Sequence, residues 1–244
     1  MAVYLGSNQV QFTKHQIIET ENHVPDIIQG TIRTYSNDII NYIDSAIFYN
    51  CSALTSINLP NCSYIGKSVF ARCFSLFSIN LPNCSYIGTD AFENCTGLTS
   101  ISFPNCNYIG NYAFQSCSAL TSISFPNCNY IDNYAFQSCS ALTSINLPNC
   151  SYIGKSAFEN CYKLSFVSLA KINTFEERAF RQCTNLSIIN LVMVSNIPTL
   201  QSVNILFGTL IERNEGIIYI PSSLYSNYLI ATNWSYYSQC MVSI

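Results

Sequence analysis

Apolar residues recur along this chain with a fixed period of 22 residues. Two neighbouring copies, Ile101–Ser122 and Ile123–Ser144, differ only where Gly110 of the first copy is Asp132 in the second. A fixed period in the twenties is typical of stacked repeats, in which each unit buries its apolar face against the next. The chain is therefore predicted to be a solenoid. The seven leucines that mark the period are Leu54, Leu76, Leu98, Leu120, Leu142, Leu164 and Leu186.

The first half of each copy alternates apolar and polar residues, which predicts a short strand. In the copy that begins at Leu54, we expect Leu54, Ile57 and Leu59 to point into the core. Ser56 and Asn58 lie between them and should face solvent. The proline that follows has no N–H for a strand ladder and marks the end of the strand.

The second half of the same copy predicts another extended piece, Tyr64-Ile65, with the isoleucine inward and the tyrosine outward. Gly66 permits a corner after it. The Val69-Phe70 pair, which is Ala-Phe in later copies, predicts a short helical or 3₁₀ turn. The phenylalanines at this position are expected to stack as an aromatic spine; they are Phe70, Phe92, Phe114, Phe136, Phe158 and Phe180.

Cysteines follow the same period, at 11-residue intervals from Cys51 to Cys161, and so form two series. Stacked turns would align each series as a ladder of small buried side chains. Neighbours in such a ladder rarely have the Cβ geometry of a disulfide, and zinc sites need closer cysteines or nearby histidines, whereas the chain has only His15 and His23. The pattern favours free structural thiols over disulfides or a metal site.

The ends of the chain depart from the period, as terminal units of an array must. Residues 1–30 are predicted to form an N-terminal cap that resembles a β-hairpin, because Val3–Phe12 alternates around Gly6-Ser7-Asn8. Residues 31–191 form about seven to eight turns of 22 residues. Residues 192–244 hold a degenerate last turn and a C-terminal cap, in which Gly216–Pro221 predicts a buried strand and Trp234 closes the open edge of the core.

Composition narrows the possible functions. The chain of 244 residues is 49% apolar but only 9% charged, with a net charge of −3. The many aromatic residues and few charges argue against disorder, and the scattered Lys and Arg residues give no basic stripe for nucleic acid. No apolar run approaches 18 residues, so no membrane insertion is expected. The start of the chain as given shows no signal peptide.

The repeat L-x-x-I-x-L-P-x-C-x-x-I-G-x-x-A-F-x-x-C closely resembles the BspA-like leucine-rich repeat family over about Thr31–Leu191. The resemblance implies a right-handed, curved leucine-rich-repeat solenoid with caps at both ends. It also implies a surface-exposed or secreted protein of gut or oral bacteria that adheres to host proteins or other cells. Similar arrays occur beside bacteriophage structural genes, so the alternative is a phage virion or tail-associated attachment protein. The expected location is extracellular, at the cell surface or in the virion.

Nothing in the sequence indicates catalysis. The carboxylates are few and dispersed, and the glycines occupy corners of the repeat instead of a nucleotide-binding frame. We therefore predict no enzyme activity, no catalytic residues, no cofactor and no metal. The expected partner is a protein or a cell-surface glycan, and the pattern specifies neither the ligand nor the oligomeric state.

Two surfaces are candidates for binding. The tyrosines of the second strand form a file with large contact area at low entropic cost; the alternative is that they are half-buried residues that stabilise the convex side of the array. The first strands offer a shallow Ser/Asn face, which becomes more apolar toward the C-terminal turns. The tyrosine file is Tyr64, Tyr86, Tyr108, Tyr130 and Tyr152, and the strand face includes Ser56, Asn58, Ser78, Asn80, Phe166 and Ile188.

Overall fold

The computed structural model describes residues 32–244 in full and the backbone of two N-terminal strands, Ala2–Leu5 (β1) and Asn8–Gln11 (β2). The two histidines and most of the predicted N-terminal cap lie outside the described residues. The described chain is a β-solenoid of about ten turns, which confirms the predicted repeat fold.

The first strands of the turns pair in parallel with equivalent strands of neighbouring turns, in three separate groups. As far as Ile188–Asn190 these pairs are residue for residue at a spacing of 22. The hairpin β1–β2 adds to this face in antiparallel fashion, through the first of these strands. The strands are β3 (Thr34–Ser36), β5 (Ser56–Asn58), β7 (Ser78–Asn80), β9 (Ser100–Ser102), β11 (Ser122–Ser124), β13 (Ser144–Leu147), β15 (Phe166–Leu169), β17 (Ile188–Asn190), β19 (Ile217–Ile220) and β20 (Met241–Ser243).

The second strand of each turn has only two residues, and eight such strands form one continuous parallel sheet. Its isoleucines are buried, and its tyrosines are half-buried or, at the first position, exposed. The strands are β4 (Tyr42–Ile43), β6 (Tyr64–Ile65), β8 (Tyr86–Ile87), β10 (Tyr108–Ile109), β12 (Tyr130–Ile131), β14 (Tyr152–Ile153), β16 (Thr174–Phe175) and β18 (Thr199–Leu200).

A third set of inter-turn hydrogen bonds lies where the sequence predicted a helical turn. Ser68, Phe70 and Arg72 donate their backbone N–H groups to carbonyls of the next turn at 2.9, 2.8 and 2.7 Å. Ser68 and Arg72 have positive φ angles of 55° and 63°, which interrupts a helix and turns these N–H groups along the solenoid axis. The segment is therefore a string of turns that bonds to the neighbouring turns as well as within itself, as Cys73 N–H does to Phe70 O at 3.2 Å. We call this repeated set the turn ladder.

The core lies inside these three faces. The phenylalanine spine is confirmed: successive rings from Phe48 to Phe180 stack with centroids 5.1–5.5 Å apart and are fully buried. All 13 cysteines are free and buried, which confirms the prediction of structural thiols. From Cys62 onward each S–H group has a backbone carbonyl partner, such as Cys95 with Phe70 O at 3.0 Å.

The C-terminal cap closes the last turn with short elements. Trp234 is 2% exposed, donates its indole N–H to Pro198 O at 2.6 Å and contacts Phe175 and Tyr228 edge to face. No helix of the described chain is long and apolar enough to cross a membrane. Within residues 32–244 the helices are three 3₁₀ segments, Val203–Leu206, Ser222–Leu224 and Trp234–Cys240, and one α-helical turn, Tyr225–Tyr228.

Candidate binding surfaces

The tyrosine file is a continuous stack of aromatic rings. Adjacent rings lie 4.3–5.4 Å apart with interplanar angles of no more than 11°. The regular 22-residue register of the second sheet keeps the rings stacked, because equivalent tyrosines are paired directly across neighbouring strands. The stack includes the five predicted tyrosines and begins one turn earlier, at Tyr42.

Stacking changes what this file can offer to a ligand. Each ring face within the stack is covered by the next tyrosine, so a sugar or a planar ligand cannot lie on it. The surface instead presents ring edges and a row of hydroxyl groups. Tyr112 and Tyr134 form a second, shorter stack of the same kind, with centroids 4.8 Å apart.

Some hydroxyl groups of the file are already engaged in hydrogen bonds. Tyr108 donates its hydroxyl to Asp132 Oδ2 at 2.8 Å. Burial, followed by this hydrogen bond, raises the pKa of Tyr108 above its ordinary value, and burial with hydrogen bonds to Tyr130 and Glu176 does the same for Tyr152. The raised pKa values keep Tyr108 and Tyr152 protonated at neutral pH, so both present hydroxyl groups that can donate and accept hydrogen bonds.

The polar side chains of the strand face also form hydrogen bonds with one another along the array. Asn58 Nδ2 donates to Ser36 Oγ at 2.9 Å, and Asn80 Nδ2 donates to Asn58 Oδ1 at 2.6 Å. Ser56 and Ser78 stand in the neighbouring column and are paired in register. This region is a shallow amide and hydroxyl surface, much of whose hydrogen-bonding capacity is already used.

The strand face becomes apolar in the C-terminal turns. The column that contains Ser144 continues in register through Phe166 and Ile188 to Ile217. Phe166 and Ile188 are half-buried, and Ile217 is exposed at 36%. We call Phe166, Ile188 and Ile217 the apolar column.

Sequence reasoning missed Ile217 as part of this surface. The strand Gly216–Pro221 was predicted, but its spacing from Ile188 is 29 residues instead of 22, so its register was open. Tyr219 lies beside the column, in register with Asn190 and Val242. Alternation within the strand could have indicated that Ile217 and Tyr219 share one face, though not which neighbours they meet.

The thiols are placed for structure and not for chemistry. Burial raises the pKa of Cys84, Cys117 and Cys128 to about 12, so these groups stay protonated at neutral pH and are poor nucleophiles. Within residues 32–244 there is no cluster of three or more His, Cys, Asp or Glu side chains that could hold a metal ion.

Comparison with known proteins gives the context of these surfaces. A family profile described as BspA type leucine rich repeat region matches six copies in the chain, over residues 31–142 and 107–204. No curated protein matches the chain in sequence.

Solved structures of bacterial repeat proteins are similar over most of the chain. One is a leucine rich cell surface protein of Faecalibacterium prausnitzii, at 20% identity and a TM-score of 0.47, with 83% of this chain and 67% of that chain covered. Another is a leucine-rich repeat protein of Bacteroides ovatus, at 18% identity and a TM-score of 0.45, with 88% and 78% covered. The pneumococcal vaccine antigen PcpA matches at 14% identity and a TM-score of 0.46, with 83% and 69% covered.

Proposed function

This chain belongs to the BspA-type leucine-rich repeat family, and we propose that it is a non-enzymatic adhesion module that binds a protein or glycan of a host or other cell. Repeat arrays of this family are protein-interaction modules. In this proposal the protein works outside the cell or at its surface, and its binding site is the C-terminal part of the strand face.

The apolar column is the observation that supports this choice of site. Phe166, Ile188 and Ile217 are successive members of one column, whereas the equivalent positions of the earlier turns hold Ser or Thr. When a partner covers apolar side chains on an outer sheet face, their removal from water makes the free energy of binding more favourable. An aromatic residue with aliphatic neighbours is also typical of the centre of a protein contact.

The tyrosine file is the weaker candidate. Its rings cover one another, and its hydroxyl groups are partly engaged, so a partner would gain little apolar area there. It adds a hydrogen-bonding edge along the array and stabilises the second sheet. We therefore assign recognition to the apolar column and treat the tyrosine file as support.

An array of glycans and extracellular-matrix proteins tests the proposal, with the full chain as the probe. The double variant Phe166→Ser/Ile188→Ser should lose binding by about tenfold or more, because each truncated contact residue of this kind costs about 1–2 kcal/mol. The matched control is Phe77→Ser, which changes an exposed phenylalanine just before strand β7 and should leave binding unchanged.

The outcomes separate the surfaces. Loss of binding in Tyr86→Ser/Tyr130→Ser, with the Phe166/Ile188 double variant unaffected, would move the site to the tyrosine file. A blank array together with copurification of the chain with phage particles would replace the adhesion proposal by the attachment alternative.

A further inference from the structure

The turn ladder has an open end at Arg178. In six successive turns, the residue at this position donates its backbone N–H to a carbonyl of the next turn at 2.8–3.0 Å; these residues are Ala46, Ser68, Asp90, Tyr112, Tyr134 and Ser156. Arg178 is the next member of the series and has the same left-handed backbone, with φ at 60°. Its N–H has no hydrogen-bond partner among the described residues, and its guanidinium has no ion-pair partner there.

The expected acceptor for Arg178 is occupied by another group. Phe180 and Gln182 donate to Ile205 O and Phe207 O at 3.0 and 2.7 Å, and this register would give Arg178 the carbonyl of Val203. That carbonyl instead accepts the hydroxyl of Tyr237. The cap therefore closes the ladder at two of three positions and leaves the third with a free donor.

A cleft of about 170 Å³ lies at this open end. It is lined by Arg178, Arg181, Asn204 and Phe207. The guanidinium of Arg181 packs over the Phe207 ring, 5.8 Å from its centroid, so its plane is held by an apolar wall. The cleft has room for a small polar group with a short carbon stem.

The charges around the cleft leave a positive excess. Arg181 bonds to Glu159 Oε1 at 2.8 Å, and Glu159, which is 7% exposed, also accepts from Gln137 at 3.1 Å. The lining residues and their direct partners thus hold two guanidinium groups against one carboxylate. Glu177, next to Arg178 in the chain, is paired with Lys155 at 3.2 Å.

From this geometry we propose that the cleft binds a carboxylate, such as an acidic side chain or the C-terminus of a partner peptide. The planar fork of Arg178 matches a carboxylate in a bidentate contact, and the single net positive charge suits one negative charge. The free N–H of Arg178 can supply a further donor, as unpaired backbone amides do at other anion sites. Phe207 offers an apolar wall for the attached carbon chain.

The site is separate from the apolar column and stands without the function proposed for it. Its test uses the full chain labelled with ¹⁵N, titrated at pH 7 with sodium acetate against sodium chloride at equal ionic strength. We expect acetate alone to shift the backbone amide of residue 178 and the side-chain Nε–H signals of Arg178 and Arg181 in a saturable way.

Arg178→Asn is the informative variant, because asparagine tolerates the left-handed backbone and the change removes only the guanidinium. It should weaken acetate binding by about tenfold, the usual worth of a charged hydrogen bond. The matched control is Arg72→Asn, which changes an exposed arginine whose φ is also positive but whose N–H is bonded to Glu93 O. It should leave acetate binding unchanged.

Three results would overturn the proposal: no saturable shift, equal weakening in both variants, or sulfate binding as tightly as acetate at equal ionic strength. Two peptides with blocked N-termini then decide whether the carboxylate comes from a side chain or from a C-terminus. One carries a single glutamate side chain and an amidated end, and the other has a free C-terminus and no acidic side chain.

Discussion

The two central, nearly identical turns and the C-terminal turns share one repeat but vary in opposite places. In the central turns the outer strand residues are all serine, while Phe103 and Phe125 replace the inner leucine of the other copies. In the first strands of the C-terminal turns the inner residues stay aliphatic, while the outer column changes to Phe166 and Ile188. Within this strand, one region varies its inner side and the other its outer side.

Interior variation has a local structural cost. The first strand ladder is broken on both sides of the central pair, so that β9 and β11 bond only to each other. Ile79 and Ile123, next to the two breaks, are only half-buried. The second sheet is continuous across the same turns, and the turn ladder continues there too, with Phe92 N bonded to Ala113 O at 2.7 Å. With three ladders between turns, local loss of one is tolerated.

Surface variation carries no such cost. The outer side chains at Phe166 and Ile188 leave their strand bonds intact. Recognition can therefore change in a repeat protein without disturbing the stacking that holds it together. This is the physical reason to look for specificity in the C-terminal turns.

Alkaline pH should give the largest difference in stability between the central turns and the C-terminal cap. Burial raises the pKa of eleven ladder thiols: Cys51, Cys62, Cys73, Cys84, Cys95, Cys106, Cys117, Cys128, Cys139, Cys150 and Cys161.

In the unfolded chain these thiols lose their protons from a pKa of about 8.5, so the unfolded state binds fewer protons and the free energy of unfolding falls as pH rises above that value. One unit above it, at about 1.4 kcal/mol for each thiol, the loss reaches roughly 15 kcal/mol. This matches or exceeds the whole stability of a typical domain. The array should therefore unfold between about pH 9 and 10.

The thiol-rich central turns should unfold before the C-terminal cap, since only one of the two thiol series continues past Cys161. Far-UV circular dichroism reports the array, and the emission maximum of Trp234, the single tryptophan, reports the cap. Circular dichroism should change at the lower pH. The double variant Cys106→Ala/Cys128→Ala should show a shallower pH dependence, and stability that is flat to pH 10 would contradict the linkage.

Much of this architecture can be predicted from the amino-acid sequence of the repeat. Leu54, Ile57 and Leu59 alternate inward as predicted, and the phenylalanine spine stacks, because a strict period of 22 places equivalent residues directly above one another. The predicted helical turn was different in the structure. Its residues bond across turns, and a propensity argument within one copy cannot see a partner in the next.

The sites were harder to anticipate for a related reason. The tyrosine file was found from its spacing, but the coverage of its ring faces depends on side-chain orientation. Ile217 was missed because the period slips before it. The Arg178 cleft arises from a hydroxyl of Tyr237 that takes one carbonyl, a contact between residues 34 positions apart with no periodic signal.

The position of a phenylalanine within the spine should determine how much unfolding free energy is lost when it is replaced by alanine. Phe114 lies between two rings at 5.1 Å and also contacts Phe103 and Phe125. Phe180 stacks on one ring, Phe158, at 5.5 Å and meets Phe175 edge to face at 6.0 Å. Both are fully buried. Phe114→Ala should lower the free energy of unfolding by about 5 kcal/mol and Phe180→Ala by about 3 kcal/mol. Urea denaturation measures both, and equal losses would mean that the interior of the central turns is no more tightly packed than the end.

The single difference between the twin copies gives the smallest expected effect. A Cβ on Gly110 would lie 2.8 Å from the carbonyl carbon of Gly88. Because this neighbour is backbone, the turns must move apart, and Gly110→Ala should cost about 1–3 kcal/mol of unfolding free energy. Asp132 already carries a Cβ at the equivalent position. Its carboxylate accepts hydrogen bonds from the Tyr108 hydroxyl and the Asn133 N–H, each at 2.8 Å, and from Asn111 Nδ2 at 3.0 Å.

Asp132→Ala keeps the Cβ and removes only these hydrogen bonds, so it should cost about 1 kcal/mol. Urea denaturation of the two alanine variants under one set of conditions gives the comparison. If Gly110→Ala were as stable as the parent, close backbone approach would not explain glycine at this corner. If Asp132→Ala were the more destabilising change, the hydrogen bonds of the carboxylate would be what offsets the cost of a Cβ at this corner.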